Sequence, residues 1–169
     1  MMTLCSDVLK VLEGKTLCTA ESCTGGGIGW HFTAVPGSSA VYKGGIISYC
    51  NAVKAAVLGV DTQMLETLGP VSAPVAQAMA EGARRVIGAD IAVSVTGLAG
   101  PGGDEYGNPQ GRVYIGYSDE KVTQSREFTF PGDREEVRLC AVREACKLIL
   151  EMNKGEKGTA AKVPAGAPL

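Results

Sequence analysis

The chain has 169 residues, 45% hydrophobic and 20% charged, the composition of a single soluble globular domain long enough to bury a core without staples. A net charge of −2 and the lack of any Lys/Arg-rich run argue against a nucleic-acid surface, and apolar runs such as "GGIISY" and "IAVSV" are far too short to span a bilayer. Six cysteines with no CxxC pair, and His31 as the one histidine, argue against a metal site, so Cys18, Cys140 and Cys146 read as small core residues in a reducing compartment.

The N-terminal "MMTLCSDVLKVLEGK" lacks the basic stretch and unbroken apolar run of a signal peptide, which points to the cytoplasm. Within it Leu4, Val8, Leu9, Val11 and Leu12 recur at helical spacing, with Gly14 where a C-cap belongs. "TLCTA" (16–20) reads as a short buried strand leading into "ESCTGGG" and a helix that runs to about Thr33. The turn-rich "AVPGSSAVYKGG" precedes a second strand, "GIISY" (45–49), and a helix over "AVKAAVLG" capped by Asn51. A short helix around Met64–Leu68 is followed by a longer one with Ser72 as cap, Pro74 in its first turn and Gly88 as terminator. "IAVSVT" (91–96) is a third strand that opens into the glycine-rich loop "GLAGPGGDEYGNPQG". Residues 112–118 and 122–130 are separated by a short polar turn and pair as a hairpin. A last helix starts at a capping box of Asp133 and Glu136. From Asn153 to Leu169 the composition turns Gly/Ala/Lys/Pro-rich, which predicts a disordered tail behind one domain over 1–152.

This order is α/β, with parallel pairing from the β-α-β stretches and one antiparallel pair from the hairpin, so the sheet is expected to be mixed. In open α/β sheets the ligand crevice lies beyond the carboxyl ends of the strands. Three such ends carry unusual chemistry here: Glu21–Gly27, Tyr49–Lys54 and Thr96–Gly103. A helix beginning just after Ser22 would turn free N–H groups toward that crevice, ready for a phosphate or a developing oxyanion. The same residues also fit a plain strand-to-helix turn in which Ser22 or Thr24 is only a cap.

If Ser22 is a nucleophile it needs a base. His31 lies nine residues along the same helix, roughly 13 Å away at ~1.5 Å per residue, so a serine-histidine triad within one chain is excluded. Lys54 is the alternative. With Asn51 as cap it is the third residue of its helix, where the dipole opposes a positive charge. Partial burial would lower its pKa further and make it a general base, with Tyr49 relaying or orienting the proton. The plainer reading is a solvated lysine beside a core tyrosine.

"TAESCTGG", "PGSSAVYKGGIISYCNAVK", "VSVTGLAGPGG" and "FPGDR", in this order, resemble the CinA C-terminal domain family over about residues 3–152. Characterised members are nicotinamide mononucleotide (NMN) deamidases, so the resemblance implies hydrolysis of NMN to nicotinate mononucleotide and ammonia, without cofactor or metal. It implies a three-layer α/β/α fold with a mixed, mostly parallel sheet of about five strands. The family's nucleophilic serine falls on Ser22 and its catalytic tyrosine and lysine on Tyr49 and Lys54. Thr96 is the family's polar residue near the carboxamide, with Gly97 beside it, and Arg134 and Arg138 are candidates for the phosphate. Cys23, Thr24, Gly25 and Gly26 complete the candidate substrate contacts behind the serine, with Cys23 also a rival nucleophile. Cys50 stands where relatives commonly carry serine. Many relatives carry a further N-terminal domain, so any pyrophosphatase activity of that domain is expected to be absent. Relatives also form homo-oligomers, and one is expected here. The competing expectation is a nucleotide-binding or competence-related module without chemistry.

Overall fold

The computed structural model describes residues 1–154. Residues 155–169, which make up most of the expected tail, lie outside the described residues. In chain order the elements are α1 (Met2–Val11), β1 (Leu17–Glu21), α2 (Gly27–Thr33), β2 (Tyr42–Ile47), α3 (Asn51–Leu58), α4 (Thr62–Thr67), α5 (Ala73–Ile87), β3 (Ile91–Gly97), β4 (Arg112–Ser118), β5 (Thr123–Thr129) and α6 (Arg134–Met152). The strands form one sheet in the order β2-β1-β3-β4-β5. β1 pairs in parallel with β2 and β3, and the β3–β4 and β4–β5 pairs are antiparallel. The sheet is therefore mixed, with only β4 running against the other strands.

Side chains alternate across a strand, and the two faces of this sheet bury two separate cores. Leu17 of β1 and Val93 and Val95 of β3 pack with Cys5, Val8, Ile28, Phe32, Val137 and Ile149 from α1, α2 and α6. Cys18 and Ala20 of β1 and Ala92 of β3 pack with Leu58, Leu65, Val75, Met79 and Ala83 from α3, α4 and α5. This is the expected three-layer α/β/α arrangement. α5 shows why a helix forms where it does: Pro74 stands in its first turn, a stripe of small side chains faces the sheet, and Gly88 ends it with φ 71°.

Several boundaries differ from the expectation. α2 begins at Gly27, not just after Ser22, because Gly25 and Gly26 take φ of 59° and 94° and turn the chain first. α3 has Cys50 as its cap, so Asn51 is its first residue and Lys54 its fourth. Ser72 occupies the cap of α5, but its hydroxyl bonds the Gly69 carbonyl instead of the helix. Asp133 and Glu136 do form the capping box of α6. Asn153 belongs to the domain, not the tail: it is buried and donates to the Tyr117 hydroxyl and the Ile149 carbonyl. Cys18 and Cys146 are core residues, whereas Cys140 is half-buried on α6. No helix among the described residues is long and apolar enough to cross a membrane.

Candidate active site

β1 ends inside the molecule, and its alternation sends two neighbouring polar side chains to opposite faces. Glu21 goes to the α2 face. Its Oε2 accepts from the Thr24 hydroxyl at 2.7 Å and the Ile28 N–H at 3.0 Å. Its Oε1 accepts from the Gly29 N–H at 3.0 Å and the Thr19 hydroxyl at 3.3 Å. The expectation that the start of α2 offers free donors to a ligand is therefore corrected: this carboxylate already holds them.

Ser22 goes to the other face. Its N–H extends the sheet ladder by donating to the Val95 carbonyl at 2.9 Å, which fixes the backbone that carries the hydroxyl. Across from it, Lys54 of α3 is 1% exposed. Lys54 Nζ donates to Ser22 Oγ at 3.0 Å and to the Ser48 carbonyl at 2.8 Å. No carboxylate is bonded to this amine among the described residues. Burial pulls its pKa down from 10.5 to about 8, against the upward pull of the Cys23 and Cys50 thiols. An amine at such a value is partly unprotonated near neutral pH and can take a proton from an alcohol held at 3.0 Å.

The hydroxyl and amine open into a cleft of about 270 Å³ at the carboxyl ends of the strands. Thr96, Gly97 and the loop through Gly103 form one wall, Pro70 and Val71 another, and Tyr49, Asn51 and Arg134 the rim. Thr96 donates its hydroxyl to the Pro70 carbonyl at 2.7 Å, so toward a ligand it can act as acceptor. Tyr49 lies beyond β2, 60% exposed, and its hydroxyl accepts from Arg134 Nη2 at 2.7 Å. Arg134 Nη1 donates to the Gly100 carbonyl, which ties this rim to the glycine-rich wall. The proton relay expected of Tyr49 is thus corrected to a rim position, because its hydroxyl is bonded to Arg134 and not to Lys54.

The turn over residues 22–26 is held from behind. Arg138 of α6 donates to the Cys23 and Thr24 carbonyls at 3.1 and 2.9 Å, and it does not line the cleft. Thr24, Gly25 and Gly26 also stand outside the cleft lining and shape the turn instead. Ser22, Cys23, Tyr49, Lys54, Thr96, Gly97 and Arg134 are brought together; Thr24, Gly25, Gly26 and Arg138 act one layer behind. Among the described residues, the N–H groups of Cys23 and Thr24 donate to no main-chain carbonyl, while the Gly25 N–H is bonded to the Ser22 carbonyl. Burial pushes the Cys23 thiol up to about 11, which leaves it a poor nucleophile beside Ser22. His31 bonds the Gly27 carbonyl within α2, as its distance along the helix predicts.

Two roles escaped the sequence reading. Glu21 adjoins the serine, and the period of two along β1 is the signal that would have sent it to the other face. Ser48 supplies a main-chain carbonyl, a role that no residue type advertises.

Comparison with known proteins agrees with this architecture. The family model of the CinA C-terminal domain matches residues 2–153. A CinA-like protein of Parasynechococcus marenigrum is 50% identical over 134 residues, which are 78% of this chain and 32% of that protein. A CinA-like protein of Thermosynechococcus vestitus is 44% identical over 152 residues, 87% of this chain and 36% of that protein. The chain thus spans about a third of the length of these curated relatives. A CinA superfamily protein of Klebsiella pneumoniae superposes with TM-score 0.88 at 34% identity, covering 90% of this chain and 96% of that one. The competence/damage inducible protein CihA of Agrobacterium tumefaciens gives 0.87 at 37% identity, covering 90% and 95%.

Proposed function

Because the chain belongs to the CinA C-terminal domain family, we propose that it is an amidohydrolase that converts NMN and water to nicotinate mononucleotide and ammonia. The observation that carries this reading is the buried Lys54 amine, 3.0 Å from Ser22 Oγ at the floor of an open cleft. Ser22 Oγ bonds to the carboxamide carbon while Lys54 takes the hydroxyl proton. The carbonyl oxygen becomes an oxyanion, and the N–H groups of Cys23 and Thr24, which donate to no main-chain carbonyl, are the donors beside it. Lys54 passes its proton to the nitrogen as the C–N bond breaks, and ammonia leaves an ester on Ser22. A water then gives a proton to Lys54 and its oxygen to the ester carbon, which releases the acid and restores the serine. Arg134 on the rim is the cation for the substrate phosphate, held in place by the Tyr49 hydroxyl and the Gly100 carbonyl.

The test is ammonia release from NMN by the purified chain. Turnover is expected in the wild type, and Ser22→Ala should lose at least about a thousandfold. Ser22→Ala protein with wild-type turnover overturns the assignment. Binding of NMN without any ammonia leaves a nucleotide-binding module.

A further inference from the structure

We propose that the side chain of Ser48 is a positioning group for the base: its hydroxyl accepts the third N–H of the Lys54 ammonium, the one bonded neither to Ser22 nor to the Ser48 carbonyl. The chemistry rests on the amidase reading, but the test reads the amine itself. Ser48 is 0% exposed, and its Oγ is a buried side-chain atom with no hydrogen-bond partner among the described residues. Buried hydroxyls are nearly always bonded, so an orphan on the residue whose carbonyl already holds Lys54 asks for a donor close by. The rest of the residue is committed: its N–H donates to the Glu21 carbonyl at 2.8 Å, and its carbonyl accepts from Lys54 Nζ at 2.8 Å.

Donor counting supplies the missing group. A neutral amine has two N–H bonds, and an ammonium has three. Two acceptors are in place for Lys54, Ser22 Oγ and the Ser48 carbonyl. An ammonium donating to both has a third N–H left without an acceptor, and the charge makes that donor the strongest claimant on a free hydroxyl. Ile46, two residues earlier, packs into the core beneath α3 and α5, so strand alternation turns Ser48 toward the face that holds Lys54. A χ1 rotation moves an unbranched hydroxyl between staggered positions without disturbing the backbone that carries it.

The amine has few other charges to answer to. The Cys23 and Cys50 thiols are the titratable groups whose charge reaches it. The Glu21 carboxylate is turned to α2. Arg85 of α5 bonds the Leu58 carbonyl at the far end of α3, and Asp61, which caps α4, Glu66 of α4 and Glu81 of α5 are exposed.

The experiment titrates isotope-labelled Lys54 by NMR in the full chain, as wild type, Ser48→Ala and Ser48→Thr. An acceptor for the ammonium raises its pKa, so Ser48→Ala should lower the Lys54 value by about one unit. Turnover of NMN should fall roughly tenfold as the ammonium loses a partner. Ser48→Thr, which keeps the hydroxyl, should restore both, and the melting temperature should not fall with Ser48→Ala. An amine that titrates alike in wild type and Ser48→Ala, with equal turnover, overturns this inference alone. A wild-type amine titrating at an ordinary lysine value removes the base, and the amidase reading falls with it.

Discussion

Glu21 and Lys54 are both buried, both ionisable and both within one residue of Ser22 in sequence or in space, yet the molecule treats them in opposite ways. Four donors converge on the carboxylate: two N–H groups of α2 and the hydroxyls of Thr19 and Thr24. The amine has a hydroxyl and one carbonyl, and no counter-ion bonded to it. A charge so completely bonded is cheap to keep and serves architecture. A charge taken from water with so little in return is held close to losing its proton. The difference separates a structural group from a reactive one without reference to which of them looks catalytic in the sequence.

That comparison can be broken in three ways. The largest effect is expected from Lys54→Met. It should cut turnover about a thousandfold, the range of a lost general base, while stability at neutral pH stays within about 1 kcal/mol of wild type, because a strained charge goes as two bonds are lost. A large loss of stability without loss of rate would make the amine structural. Glu21→Ala should do the reverse in kind, lowering unfolding free energy by about 3 kcal/mol because two N–H groups and two hydroxyls are orphaned. Chemical denaturation measures it, and a fully stable but inactive Glu21→Ala protein would put the carboxylate in the chemistry.

The smallest effect is a pH dependence. The proposed base works only when unprotonated, so rate should rise with pH through a limb centred near the Lys54 value of about 8. Stability follows the same sign. The folded pKa lies below the unfolded lysine value, so the cost of burying the ammonium is complete below about 8 and is relieved as pH rises to 10.5. Stability measured across that window should climb in the wild type and flatten in Lys54→Met. An identical slope in both would assign the effect elsewhere.

Much of this was legible before any coordinates. The hydrophobic periods and glycine stops located the strands and helices, and the capping box at Asp133 and Glu136 marked α6 to the residue. A lysine in the first turn of a helix, where its charge has no local reason to be, suggested Ser22's partner, although the same residue also read as a plain solvated lysine. What could not be read were decisions made by direction instead of residue type. Arg134 and Arg138 are one helical turn apart, and either could have faced the ligand; only the docking of α6 sends the first to the rim and the second behind the turn. Tyr49 sits two residues past the end of β2, so its aim depends on a loop. The paired left-handed glycines delayed α2 by a full turn, a conformational choice that the three-glycine run permits without specifying.

The grip of Arg138 on the Cys23 and Thr24 carbonyls spans 115 and 114 residues of sequence. During synthesis Ser22 leaves the ribosome early, and the side chain that braces its turn emerges only with α6. The Arg134 that closes the rim arrives at the same moment. A product cut off before α6 therefore carries Ser22 and Lys54 without the side chain that braces the turn over residues 22–26.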